Sequence, residues 1–335
     1  MPSSAGAAAC PETEACVDLP HAVIQAWAHY AGCVGVVLAP SLAAARRQLL
    51  RTCRVAPGEP ILVPPNATHG LVEDIKRCGA RPLFGGLDDT LAMTHDRPVR
   101  VAWSQPLLGL RCASHVTAEI TVVDHGDTVP AALPGQGSLA SNADVVLCGL
   151  YLSPEQEDAG TILFFRDADL YARYLAEVPA ALPSLYLRAA KQLARVRRLV
   201  ERQTAALALV AAGLHAAAGL PLLPAESGLA LSHGILVRIP DEGTPSTFWS
   251  YASAENTPVQ WLPHLRPLHY AAVQAHRRSA ANLERWLLVP VSPTSTEDEN
   301  RQTVLGVVKA AEYTGLRWRT EPELAAQYAR LLDSM

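Results

Sequence analysis

Short apolar runs separated by amphipathic segments dominate the first half of the chain. The runs cover residues 34–38, 61–64, 81–84, 99–103, 120–124, 144–152 and 161–165. Segments 41–52 and 68–78, which separate the first three runs, carry apolar residues at helical spacing. Strand-length runs rich in Val, Ile and Leu that alternate with helices are typical of a sheet covered on both faces. The pattern therefore predicts an α/β domain with a mostly parallel sheet.

The pattern changes in the second half, where a long alanine- and arginine-rich stretch, 187–214, is predicted to form one helix. After the prolines at 221–224 we expect a strand near 234–239, a loop with Trp249 and Tyr251, a helix after Pro267, a strand at 286–291 and a helix at 296–313. The sequence thus predicts a disordered N-terminus at 1–17, a large α/β domain at 18–216 and a small C-terminal α+β domain at 217–335.

Composition narrows the class of protein. A chain of 335 residues that is 49% hydrophobic can bury a large core, and its net charge of −4 gives no general attraction to nucleic acid or anionic membranes. Its seven cysteines form no C-x-x-C pair, which favours a reducing compartment and argues against a metal site. No apolar run reaches the roughly 18 residues that span a bilayer. We expect a cytoplasmic protein without metal, nucleic-acid or membrane partners.

Four stretches carry a more specific pattern. They are RVAPGEPILVPPNATHGLVEDIKRCGARPLFGGLD (54–88), ITVVDHGDTVPA (120–131), NADVVLCGLYL (142–152) and SAANLERWLLVPVSPTSTEDENRQTVLGVVKAA (279–311). Together they resemble the DegT/StrS sugar aminotransferases, across about residues 30 to 312. The resemblance implies an aspartate-aminotransferase-like large domain with a small α+β domain, and a dimer that shares its active sites across the interface. It also implies pyridoxal phosphate (PLP) chemistry in deoxysugar or antibiotic biosynthesis.

The lysine that this chemistry requires has no counterpart. A lysine amine must form the Schiff base with the cofactor and later move the proton. The resemblance places it between Leu152 and Pro154, and the chain has no lysine at all from residue 77 to 190. Lys76, Lys191 and Lys309 fall in helical stretches that cannot replace it. The sequence therefore predicts that the protein is not a transaminase.

Other cofactor contacts of the family are missing as well. Its phosphate-binding Ser-Gly-Thr turn matches 41–43, Ser-Leu-Ala, and the serine before the lysine matches about Cys148. The asparagine that reaches across from the partner subunit has no match in 181–190. Asp124 matches the aspartate that pairs with the pyridinium nitrogen, yet the family's glutamine three residues later is Asp127. We predict that PLP binding is lost and that no cofactor replaces it.

Polar residues nevertheless follow four of the predicted strands, and ligands bind at the carboxyl ends of strands in open α/β sheets. We predict acid–base catalysis by Asp124, His125, His69 and Asp127. We predict substrate binding by Asn66, Thr68, Ser104, Gln105, Ser153 and Glu155. The alternative is that Asp124 survives as a structural residue and that the acidic segment 155–158 is a solvated loop.

Three functions are consistent with these residues. The first is a PLP-independent, non-transaminating homologue repurposed to act on a small molecule in a specialised-metabolite pathway, antibiotic or sugar-related. The second is a catalytically inactive partner subunit of an active homologous aminotransferase. The third is a variant enzyme that binds PLP non-covalently. The protein is accordingly expected to form a homodimer or a heterodimer with an active aminotransferase.

Overall fold

The computed structural model describes residues 19–106, 114–126, 143–150, 160–178, 181–218, 222–223, 234–241, 243–269, 272 and 276–315. Its strands are β1 (Gly35–Ala39), β2 (Pro60–Val63), β3 (Arg81–Phe84), β4 (Gly86–Leu87), β5 (Met93–Thr94), β6 (Val99–Ser104), β7 (Ser114–His115), β8 (Ala118–His125), β9 (Val145–Gly149), β10 (Thr161–Phe165), β11 (Leu222–Leu223), β12 (Gly234–Arg238), β13 (Gln260–Trp261) and β14 (Trp286–Pro290). Its helices are α1 (Leu19–Ala31), α2 (Leu42–Thr52), α3 (His69–Arg77), α4 (Ala168–Glu177), α5 (Pro183–Ala218), α6 (Pro245–Ala254), α7 (Leu262–Leu265), α8 (Arg277–Glu284) and α9 (Glu297–Tyr313).

A seven-stranded sheet of order β1-β10-β9-β8-β6-β2-β3 forms the large lobe. All neighbouring strands in it run parallel except β10, which is antiparallel to both β9 and β1. Strands β1, β9 and β10 are buried at every position because helices cover both faces of the sheet, which leaves these strands no solvent-facing row of residues. The predicted α/β class with a mostly parallel sheet is confirmed.

Two hydrophobic clusters lie on the opposite faces of this sheet. One contains Phe165 and the buried residues of α2, α3 and α4. The other contains Phe164 and the buried residues of α1 and the first half of α5, and Trp27 there donates from Nε1 to the carbonyl of Ala189 over 3.0 Å. Adjacent residues of one strand thus belong to different clusters, because side chains alternate across a sheet.

The C-terminal lobe is a four-stranded sheet of order β11-β12-β14-β13, packed against α6 and α9. Helix α5 supplies Val210 and Leu214 to its core. The predicted loop around Trp249 and Tyr251 is wrong, since both residues lie in α6. Pro245 at the start of this helix and the buried side chains of Phe248 and Ala252, one turn apart, explain why the segment is helical.

A small sheet of order β4-β5-β7 connects the two lobes. Leu87 and Leu91 from this region pack in a cluster with leucines of the C-terminal lobe. The backbone of Leu87 donates its N–H to Ser279 Oγ (2.8 Å) and accepts at its carbonyl from Asn282 Nδ2 (3.0 Å). The lobes are therefore joined by directional contacts in addition to α5. No helix among the described residues is long and apolar enough to cross a bilayer.

Candidate functional site

Asp124 lies near the carboxyl end of β8 and is fully buried. Its Oδ2 accepts hydrogen bonds from Arg46 Nε (2.7 Å) and Trp103 Nε1 (3.2 Å), and its Oδ1 accepts one from the backbone N–H of Gly126 (2.9 Å). The carboxylate is therefore held by donors of this chain on both oxygens. A buried ionised carboxylate needs such partners, because removing it from water without them is costly.

The Arg46 side chain comes from the face of α2 that packs on the sheet. Ala45, Leu49 and Leu50 of the same face are buried, and Arg46 is itself only 5% exposed. A Cβ atom placed on Gly70 would lie 3.4 Å from Arg46 Nη1, so the guanidinium extends between the first turn of α3 and β8. Sequence reasoning missed Arg46. The sequence feature that could have revealed it is an arginine at a position of an amphipathic helix where the apolar residues recur.

A second carboxylate borders this ion pair. Asp74 on α3 is buried, and its Oδ1 lies 4.0 Å from Arg47 Nε. Burial raises the pKa of Asp74 above its ordinary value, while Arg46 and Arg47 act in the opposite direction. Helix α2 thus contributes two consecutive arginines to two buried carboxylates on neighbouring elements.

His125 is next to Asp124 in sequence but faces the other side of the sheet. In the register of β8 with β9, Asp124 lies beside Leu147 and His125 beside Cys148. Leu147 and Cys148 belong to the two clusters on opposite faces. The structure therefore does not bring the two side chains together as a histidine–aspartate pair. His125 is fully buried, like Asp124. Their catalytic roles stay predictions.

The remaining predicted catalytic residues are not gathered around Asp124 by any described contact. His69 begins α3 and is exposed, and Thr68 caps that helix through a hydrogen bond from the N–H of Leu71 to Thr68 Oγ1. Asp127 lies outside the described residues, as do Ser153 and Glu155 of the predicted substrate-binding set.

The other four predicted substrate-binding residues do lie together, where β2 and β6 end side by side. Gln105 accepts at Oε1 from the N–H of Thr68 (2.7 Å) and donates from Nε2 to Thr68 Oγ1 (3.0 Å). This pair of hydrogen bonds ties the two strand ends together. Asn66, Ser104 and Gln105 line a cavity of about 10 Å³ that is partly open to solvent. That is about the space of one water molecule.

The residues that remain at the cofactor position do not fit PLP. Leu42 covers Gly126, since a Cβ atom on that glycine would lie 2.3 Å from Leu42 Cδ2. At the start of α2, Ser41 Oγ accepts a hydrogen bond from the N–H of Ala44 (3.2 Å), which engages one of the donors that an anion could use there. Arg46 presents a second cation to the carboxylate that would pair with the pyridinium nitrogen. Residues 152–154, where the resemblance places the family's lysine, lie outside the described residues.

The described residues hold no group of three or more His, Cys, Asp or Glu side chains able to bind a metal ion. No known family pattern matches the sequence, and no curated protein is similar to it in sequence.

Solved structures resemble the chain closely in fold. Spr1654 from Streptococcus pneumoniae, described as a sugar aminotransferase in its PLP form, superposes with a TM-score of 0.72 at 15% identity, over 88% of this chain and 92% of that one. A DegT DnrJ EryC1 StrS aminotransferase from Brucella abortus gives 0.68 at 16% identity, over 89% and 90%. PseC from Helicobacter pylori, an aminotransferase involved in the biosynthesis of pseudoaminic acid, gives 0.69 at 11% identity, over 88% and 91%. The chain therefore has the fold of the DegT/StrS sugar aminotransferases.

Proposed function

We propose that the protein is a PLP-independent, non-transaminating homologue of these enzymes and serves as the inactive partner subunit of an active aminotransferase. The pathway is a specialised-metabolite pathway, antibiotic or sugar-related. The observation that carries the proposal is the Arg46–Asp124 ion pair, because it occupies the carboxylate on which the fold's cofactor chemistry depends.

The geometry favours this function over acid–base catalysis on a small molecule. A general base must come within hydrogen-bond reach of the proton that it removes. Asp124 and His125 are both 0% exposed and face opposite sides of the sheet, and the oxygens of Asp124 are already occupied. Catalysis by this pair would require both faces of a packed sheet to open.

A partner role is physically reasonable for a lobe with this surface. Among the described residues, five large apolar side chains of the large lobe are exposed: Leu19, Val34, Leu175, Leu182 and Leu187. Leu19 on α1 and Leu187 on α5 share one face of the sheet, and Leu175 on α4 lies on the other. Apolar groups of this kind gain free energy when a second chain covers them. Since relatives implied by the resemblance share sites across a dimer interface, an inactive chain can complete or regulate the site of an active one.

The first experiment tests PLP binding. The purified protein is titrated with PLP, and its absorbance is recorded before and after treatment with borohydride. We expect the spectrum of free PLP throughout, with none fixed to the protein. A covalently fixed band would overturn the proposal. A spectral change that borohydride does not fix would favour the variant enzyme that binds PLP non-covalently.

The second experiment tests the partner. The chain is co-expressed with an intact DegT/StrS-type aminotransferase from the same organism, and the mass of the purified complex is measured by light scattering. We expect a heterodimer, weakened by L182D/L187D and unaffected by Y251D/Y313D on the C-terminal lobe. A homodimer that excludes the aminotransferase, or a product formed by this chain alone, would contradict the partner role.

A further inference from the structure

Helix α5 carries a row of basic side chains on its outer side. Lys191, Arg195, Arg198 and Arg202 are all exposed and follow one another at intervals of four, three and four residues. Positions three and four residues apart lie on one side of a helix, so the four charges form a line about 16 Å long. Val196, on the opposite side of the helix, is buried against the sheet. These four cations are called the basic row below.

The surrounding helices supply no carboxylate to the basic row. Glu201 is the one acidic residue of α5, and its Oε1 is paired with Arg197 Nε over 3.1 Å. Helix α1, which packs on the same face of the sheet as the first half of α5, contains no acidic residue. No member of the basic row forms an ion pair or a hydrogen bond with another residue in the part of the chain that the structure describes.

Exposed cations on other helices of the chain are neutralised within one turn. Lys76 is paired with Glu73 on α3, and Arg301 with Glu297 on α9. The basic row instead places like charges one turn apart, and such an arrangement destabilises a helix. The whole chain has a net charge of −4, so the row is a local excess of the opposite sign. Carboxylates from another molecule would relieve this repulsion.

Leu187 extends the basic row with an apolar side chain. It precedes Lys191 by four residues on the same side of α5 and is 49% exposed. The outer side of a helix is convex, so it does not enclose a small anion as a binding pocket does. The negative charge of the whole chain opposes a nucleic acid or an anionic membrane. A protein surface that carries carboxylates and an apolar group complements both parts of the row.

The same surface disfavours a second copy of this chain as the partner. In a twofold dimer each surface patch meets its own counterpart. The basic row would then face four identical cations, and like charges across an interface oppose association. The row therefore selects a chain whose surface differs from its own.

We propose that the basic row and Leu187 form a docking surface for an acidic helical face of a different protein. Carboxylates that recur every three or four residues on a helix match the spacing of the row, and arginine binds a carboxylate through two parallel hydrogen bonds. The inference rests on the proposed function, under which this protein is the active aminotransferase. It adds the chemistry of the interface between the two chains.

The first test reverses the charges of the row. Its variant is K191E/R195E/R198E/R202E, and the matched control is R51E/R97E/R277E/R278E, which makes nearly the same change in charge at exposed arginines outside α5. Glutamate, lysine and arginine have similar helix propensities, so α5 should still form. Affinity for the aminotransferase is measured in about 0.05 and 0.5 M NaCl. At low salt we expect at least about tenfold weaker binding by the row variant and less than about twofold by the control. High salt should weaken the unaltered complex about tenfold.

The second test does not need the aminotransferase. Its probe is a helical peptide of about 18 residues with glutamates at the spacing of the row, and the comparison peptide has glutamines instead. We expect the protein to bind the glutamate peptide at least about tenfold more tightly than the glutamine peptide, and the row variant to lose this preference.

The outcomes separate this inference from the proposed function. A complex that the row variant and the control form equally well would overturn the inference and leave the partner role intact. A glutamate peptide that does not bind, or that binds less tightly than single-stranded DNA or phosphatidylserine vesicles, would also overturn it. If the aminotransferase does not bind the unaltered chain while the peptide binds through the row, the partner role fails and the acidic docking surface stands.

Discussion

Arg46 donates from Nε to Oδ2 of Asp124 over 2.7 Å, with only 5% of the arginine side chain and none of the aspartate exposed. Removing one member of a buried ion pair leaves an uncompensated charge, which costs about 3–5 kcal/mol. We therefore expect R46M to lower the free energy of unfolding by that amount, measured by urea denaturation. The double variant R46M/D124N removes both charges and should recover most of the loss.

The matched control is R51M, which removes an exposed arginine from the same helix. It should change the free energy of unfolding by less than about 0.5 kcal/mol. If R46M and R51M lowered the free energy of unfolding by the same small amount, the Arg46–Asp124 ion pair would not stabilise the fold. Asp124 would then again be available as a catalytic group.

Asp74 gives the protein a pH dependence of definite sign. Because burial raises its pKa in the folded state, the folded chain binds a proton more readily than the unfolded chain. The charged form opposes folding, so this contribution to stability improves as the pH falls through the raised folded pKa. We expect D74N to be more stable than the parent at pH 7 and the difference to shrink on acidification. Denaturation midpoints at neutral and acid pH check this, and a difference that grows toward acid would contradict it.

The hydrogen bond between Ser279 and Leu87 should be important for stability, since both residues are buried. Replacing Ser279 with alanine leaves the Leu87 N–H without its acceptor, at a cost of about 1–3 kcal/mol. S253A, on the exposed surface of α6, serves as the control and should be nearly neutral. Thermal denaturation compares the two variants. If S279A were as stable as the parent, the contact between the lobes would not depend on this hydrogen bond.

The capping box of α9 offers a local test of the C-terminal lobe. Thr296 Oγ1 accepts from the N–H of Glu299 (3.2 Å), and the Glu299 side chain accepts from the N–H of Thr296 (2.7 Å). T296A should lower stability by about 1 kcal/mol. Thr303 lies in the same helix and bonds only to a carbonyl, so T303A should have a smaller effect. If T296A and T303A lowered stability equally, the loss in T296A could not be attributed to the helix cap.

The sequence predicted the sheet well and its connections less well. The predicted strand at residues 81–84 coincides with β3, because a short apolar run between helices leaves few alternatives. The sequence pattern predicts a loop at α6 because aromatic residues have low intrinsic helix propensity. The segment is helical because its buried side chains pack against the C-terminal lobe. The two-residue strands β4 and β5 are too short to produce an alternating pattern.

The candidate site was predicted only in part. Strand ends are fixed by topology, so Asn66, Ser104 and Gln105 could be placed together from the sequence alone. The partner of Asp124 could not, because Arg46 is 78 residues away and no local pattern joins them. His125 was expected beside Asp124 in the site, although strand alternation already directs neighbours to opposite faces.

Helix α5 determines how the two lobes unfold. Its first half packs Ala189 and Val196 under the large sheet, and its second half packs Val210 and Leu214 in the C-terminal core. Two buried glutamines reinforce this, as Gln192 donates to the carbonyl of Gly149 and Gln203 to that of Val291. A rigid element that belongs to two cores makes their opening interdependent, because neither can expose its share of the helix without weakening the other. Amide hydrogens at both ends of α5 should therefore exchange through one cooperative unit.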